Sequence, residues 1–114
     1  MIWYRGDDIV ISVQILDNAY QPINITGWDF QATLKELPKY ETPPIFTLGI
    51  GTGITVTSPE NGELIIQVPR DYTKDLVLHQ EYYFDLVALT TSQQRITIKV
   101  WQIYVEGGTS TLGI

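Results

Sequence analysis

Apolar and polar residues alternate with period two along most of the chain. In residues 8–16 (DIVISVQIL), Ile9, Ile11, Val13 and Ile15 share one parity, while Asp8, Ser12 and Gln14 take the other, interrupted by Val10. That is the signature of a strand with one face buried and one in water. Trp28, Phe30, Ala32 and Leu34 alternate with Asp29, Gln31, Thr33 and Lys35 in the cleanest stretch of this kind. Residues 54–57 and 63–68 are predicted to pair as a hairpin across Asn61-Gly62, because both turn residues accept positive φ. Residues 80–90 (QEYYFDLVALT) are apolar on both parities, which predicts a central strand covered on both faces. In residues 95–106, Ile96, Ile98 and Val100 share one parity and Trp101, Ile103 and Val105 the other. The phase slip between Val100 and Trp101 predicts a β-bulge, since one extra residue inverts every face that follows.

Turn chemistry separates these runs. Asp17-Asn18 and Gln21-Pro22 follow the first strand. Pro38, Pro43 and Pro44 place residues 37–44 in a loop, because proline removes ladder donors. Residues 45–48 are expected to form a short edge strand, 49–53 (GIGTG) a flexible turn, and 69–76 a short helical turn crossing between sheets. About seven strands at this spacing read as an all-β chain of the β-sandwich class. The expected division is an N-terminal arm over 1–6, one domain over 7–107 and a C-terminal tail over 108–114.

Composition supports the strands and narrows the chemistry. Ile, Val and Thr fill roughly a third of the 114 positions, and β-branching favours pleated backbone over helix. No cysteine is present, which excludes disulfides, thiolate nucleophiles, Fe–S clusters and thiolate zinc sites. With one histidine, no two-histidine metal site fits within one chain. Seven basic residues against 13 acidic ones give a net charge of −6, and the cations are scattered. Such a surface repels phosphate, so neither nucleic acid nor an anionic membrane is an expected partner. No apolar run approaches the ~20 residues of a spanning helix, and the first residues match no signal peptide.

Little in the chain points to catalysis or to a cofactor. Asp71, Asp75 and His79 would share one face of a continuous helix, but the helical stretch is read as a single turn, leaving His79 a loop residue. Asp7-Asp8 and Asp17-Asn18 match no calcium loop, and Asp and Asn suit turns on conformational grounds. Gly49, Gly51 and Gly53 open no helix and are followed by no phosphate-binding lysine. Arg5-Gly6-Asp7 reads as the turn into the first strand. Trp28 and Phe30 lie on the buried parity, and Tyr72, Tyr82, Tyr83 and Tyr104 are expected to divide between core and surface. Trp3 and Tyr4 precede the first strand, where large rings rimmed by polar groups make interface anchors or cap the end of the fold.

The order of segments resembles a known family. Arg5-Gly6-Asp7-Asp8 leads into an apolar strand, and Pro22-Ile23-Asn24-Ile25-Thr26-Gly27-Trp28 steps into the next. Gly62-Glu63-Leu64-Ile65-Ile66, the crossing from Thr73 to Leu76, and Tyr82-Tyr83-Phe84-Asp85-Leu86 follow. Over roughly residues 5 to 107 this resembles the small immunoglobulin-like domains of tailed bacteriophages and prophages. These include the N-terminal domains of upper baseplate proteins and related neck, tail and fibre-attachment proteins. The resemblance implies an immunoglobulin-like β-sandwich and a multi-copy virion structural role, assembled in the host cytoplasm without enzyme activity. Its expected partners are other virion proteins and copies of itself. Arms at either end suit strand addition to a neighbour's sheet. The expected contact residues are Trp3, Tyr4, Arg5, Tyr40, Pro43, Pro44, Thr109, Leu112 and Ile114. The alternative is a carbohydrate- or receptor-binding module using Trp3, Tyr40 and Tyr104.

Overall fold

Strands that bury one parity need a second apolar surface, and this chain supplies it by curling one sheet. The computed structural model describes residues 1–108. Its strands are β1 (Ile2–Tyr4), β2 (Ile9–Gln14), β3 (Asp29–Lys35), β4 (Phe46–Ile50), β5 (Gly53–Ser58), β6 (Glu63–Val68), β7 (Glu81–Leu89) and β8 (Arg95–Glu106). A 3₁₀ turn covers Pro59–Asn61, and one short helix, α1, covers Arg70–Thr73, where the helical crossing was expected. The chain is all-β, with eight strands among the described residues rather than about seven.

All eight strands belong to one hydrogen-bonded sheet of order β1-β8-β7-β3-β4-β5-β6-β2. Its two end strands, β1 and β2, are neighbours in sequence, joined only by residues 5–8. A flat sheet would hold its end strands roughly 34 Å apart at about 4.8 Å per strand, whereas that linker spans at most about 17 Å. The sheet therefore bends back on itself. A single core results, in which Trp3 of β1 and Ile11 of β2 join Leu34, Ile66, Phe84 and Val105.

The expected N-terminal arm is instead part of the fold. Ile2, Trp3 and Tyr4 pair in parallel with Tyr104, Val105 and Glu106. Trp3 is 1% exposed, its ring centroid 5.2 Å from that of Phe84. The reason is hydrophobic: burying an indole outweighs leaving three residues free.

Phe46–Ile50 is not the expected edge strand, because β4 lies between β3 and β5. Pro43 and Pro44 end just before it, so the donors from Phe46 onward are intact. The β4–β5 contact is parallel over only Gly49↔Gly53 and Ile50↔Ile54. A parallel crossover needs a dozen or more residues, so this is a local fold of the chain at the place where the sheet turns. Gly53 (φ +116°) permits it: a Cβ there would stand 3.0 Å from the Gln67 carbonyl oxygen and from the Leu48 side chain.

The β5–β6 hairpin forms as expected, with the left-handed turn residue at Gly62 (φ +68°) but not at Asn61. A Cβ on Gly62 would come 2.7 Å from the carbonyl oxygens of Ile15 and Ile23. On β7, Tyr82, Phe84, Leu86 and Ala88 are buried while Tyr83, Asp85 and Val87 are half-buried. That strand is central in its half of the sheet but covered on one face only, which corrects the two-sided expectation. The β8 bulge exists and lies earlier than predicted. Leu86 pairs with Lys99 and Val87 with Thr97, leaving Ile98 as the extra residue. The change of phase then falls on Lys99 and Val100, which are both exposed.

Candidate interaction surface

The uncovered parity of β3, β7 and β8 forms a continuous outward face. Register sets its rows: Tyr83 sits across from Lys35 and Gln102, and Asp85 across from Thr33 and Val100. Tyr104 pairs with Glu81 and so lies diagonal to Tyr83. The proline-rich loop folds over one side of this face. Its turn is closed by the Thr42 N–H donating to the Lys39 carbonyl at 3.1 Å. Lys35 Nζ donates to the carbonyls of Lys39 and Tyr40, each at 3.3 Å, and stands 5.9 Å from the Tyr40 ring centroid. One lysine thus holds the loop by two carbonyls and a π-face.

Between loop and sheet lies a cavity of about 200 Å³, lined by Lys35, Leu37, Tyr40, Tyr83, Asp85 and Arg95 among others. Burial pushes the Asp85 carboxyl above its ordinary value, against Lys35, Arg95 and a backbone hydrogen bond at Thr33, which pull it down. The cavity therefore offers an acceptor (Asp85), three cations (Lys35, Lys39 and Arg95) and two phenol rings. These features suit recognition by hydrogen bonding and stacking. A wider groove of about 590 Å³ runs over the other end of the same strands, beside Asp29, Gln31, Val87, Leu89 and Gly49.

The expected contact residues are scattered. Trp3 cannot anchor a contact, because the core encloses it and its indole N–H points to Met1 Sδ at 3.1 Å. Tyr4 and Arg5 are exposed at the β1 end, the Arg5 N–H bound to the Glu106 carbonyl at 2.9 Å. Tyr40 is 92% exposed, and Pro43 and Pro44 are exposed in the same loop. Thr109, Leu112 and Ile114 lie outside the described residues. For the carbohydrate alternative, the loss of Trp3 leaves Tyr40 and Tyr104, with Tyr83 on the same face. Of the four tyrosines expected to divide between core and surface, Tyr82 is the fully buried one, and its hydroxyl accepts the Val77 N–H at 3.0 Å.

The acidic residues weighed for chemistry serve the backbone. Asp8 Oδ1 accepts the Arg70 N–H at 2.8 Å, and Asp17 Oδ1 accepts those of Ala19 and Gln21 at 2.8 and 3.0 Å. Helix α1 ends at Thr73, so Asp71, Asp75 and His79 share no helical face. His79 (φ +61°) lies 3.7 Å from Glu106 Oε2 and 3.4 Å from the Tyr104 hydroxyl, with its side chain mostly exposed. Among the described residues no three His, Asp or Glu side chains converge as metal ligands.

Sequence reasoning passed over Asp85, Lys35, Tyr83 and Arg95. The available signal was Asp85 itself, a lone carboxylate within the apolar run YYFDLVAL. No family model and no curated protein sequence matches the chain. Among solved structures it is similar to murine CRIg, with a TM-score of 0.44 and 11% identity, covering 96% of this chain and 92% of that one.

Proposed function

We propose that the chain is an immunoglobulin-like β-sandwich working by surface contact as a multi-copy structural component of a tailed-phage virion. The strand order supports the fold. If β2 to β8 are strands B, C, C′, D, E, F and G, then β8-β7-β3-β4 reads G-F-C-C′ and β5-β6-β2 reads D-E-B. Those are the two sheets of an immunoglobulin domain, here linked through the β4–β5 fold. Tyr82 supports it independently: near the start of F, its hydroxyl takes a backbone N–H five residues upstream. That matches the tyrosine corner of such domains, with Phe84 standing where they carry their second cysteine.

The virion role rests on the family resemblance, two of whose segments meet in space. Buried Thr73 accepts the Gly6 N–H at 3.1 Å and donates to the Asp7 carbonyl at 2.8 Å, joining the Arg5-Gly6-Asp7-Asp8 segment to the Thr73–Leu76 crossing. The observation that carries a contact role is the outward β3–β7–β8 face, with exposed Tyr40 and Val100 around the half-buried Asp85 cavity. Its partners are other virion proteins, and the net charge of −6 argues against the genome as one.

The test is co-purification with assembled particles. The chain is expected to band with them in fixed stoichiometry. A Tyr40→Ala, Val100→Asp variant that melts like the parent is expected to lose at least tenfold in incorporation. Absence of the chain from purified particles overturns the reading, and glycan binding abolished by Y40A would favour the carbohydrate-binding alternative.

A further inference from the structure

The basic residues are scattered along the sequence, yet the fold gathers three of the seven at one place. Lys35 on β3, Lys39 on the proline-rich loop and Arg95 on β8 all line the cavity of about 200 Å³ between loop and sheet. Asp85 is the one carboxylate among the described residues that line it. Cations thus outnumber acids three to one there, in a chain whose 13 acids outnumber its 7 bases. None of the three is engaged in an ion pair: those among the described residues join Lys74 to Asp71 and His79 to Glu106. Lys35 Nζ, held at 3.3 Å by the Lys39 and Tyr40 carbonyls, keeps a third N–H and is fixed in place before anything binds. Arg95 is exposed, and its planar fork matches both oxygens of a carboxylate. Exposed Leu37, Tyr40 and Val100 form an apolar rim around these charges. Arg95 also lines the wider groove of about 590 Å³, where Ile50 and Leu89 are exposed, so the two depressions meet at its side chain.

We propose that this cavity takes the carboxylate of an acidic side chain, presented by a protein partner on a segment with apolar residues flanking it. Charge selects an anion: Asp85 offsets one of the three cations and leaves the other two. Size selects a single side chain, because about 200 Å³ lies below the ~300–1,000 Å³ of pockets that enclose a drug-sized ligand, and a nucleotide is of that larger class. The rim selects a protein. Leu37, Tyr40 and Val100 give a bare anion nothing to touch, whereas apolar neighbours of the acidic residue would close over them and exclude water from the ion pair. The net charge of −6 does not forbid the approach, since charges beyond a Debye length of about 8–10 Å are largely screened and the local cations decide. The inference rests on the contact role given to this face above, not on the virion as its setting.

Amide NMR titration of the isotope-labelled chain tests it with two blocked tripeptides, acetyl-Leu-Glu-Leu-amide and its isosteric Gln counterpart. The Glu peptide should bind saturably and shift the amides of Lys35, Lys39, Asp85 and Arg95. The Gln peptide, which lacks the charge, and sodium acetate, which lacks the apolar flanks, should each bind at least tenfold more weakly. Arg95→Gln should weaken the Glu peptide at least tenfold with an unchanged melting temperature, Arg95 being exposed. R95K, which restores the charge without the fork, should recover part of that loss. A Glu peptide that binds no more tightly than the Gln peptide or acetate, or shifts that fall away from the cavity, overturns the proposal. So does an R95Q chain that incorporates into particles like the parent while the Tyr40→Ala, Val100→Asp variant does not, a result that keeps the contact face and removes this anchor. Absence of the chain from particles removes only the virion setting, and the peptide titration still decides the anchor.

Discussion

Burial raises the Asp85 carboxyl above its ordinary value of 3.8 despite Lys35 and Arg95, so the folded protein keeps that proton to higher pH than the unfolded chain does. The unfolded state then binds fewer protons between the two values, and stability from this group falls as pH rises through the raised one. Asp85→Asn should therefore melt above the parent at pH 7, with the gap closing as the pH drops below 3.8. Thermal scans from pH 3 to 8 check it, and a gap independent of pH counts against the assignment. The same carboxylate shows where reading residues in order falls short. Its place in an apolar run was visible, but its neighbours are not sequence neighbours: Lys35 and Arg95 reach it only through the β3–β7 and β7–β8 registers.

At the level of elements, the largest departure from the sequence expectation is β1. Trp3 fills core space beside Phe84, so Trp3→Ala should cost about 3–5 kcal/mol, read as a lower urea midpoint at unchanged slope. A free arm would leave the midpoint where it was. Period two made β2, β3, β6 and most of β8 legible, because each buries one parity along its length. Three residues, Ile2-Trp3-Tyr4, are too short to display a period, so β1 was hidden. The bulge was legible as a change of phase but not at Ile98, because Val100 and Trp101 mark where the new parity begins rather than where the extra residue sits. The five residues Gly49–Gly53 at the β4–β5 fold carry no alternation either, which concealed that β4 is internal.

For the molecule as a whole, net charge governs how two copies meet. With a formal charge of −6 and a pI near 4.5, two copies at neutral pH meet net repulsion that a Debye length of about 8–10 Å only partly screens at physiological salt. That repulsion should weaken between about 20 and 500 mM salt and again as pH falls toward the pI. The second virial coefficient from light scattering measures both, and a coefficient that does not fall with salt counts against net charge as the source of the repulsion. The all-β class was legible from composition and alternation. The outward surface was not, because it is assembled from three strands and a loop whose proximity depends on how the sheet bends.

The parallel pairing of β1 with β8 also sets an order of events during synthesis. Trp3 leaves the ribosome about a hundred residues ahead of the backbone that receives it, Tyr104 to Glu106. Contacts so distant in sequence form slowly, because the intervening loop must close before any pairing rewards it. Until β8 emerges, the nascent chain carries an unsheltered indole and an incomplete sheet, both open to chaperones and to wrong partners. Closure by Trp3 is thus a late event, and β1, made ahead of the rest of its sheet, is among the last strands to find its place.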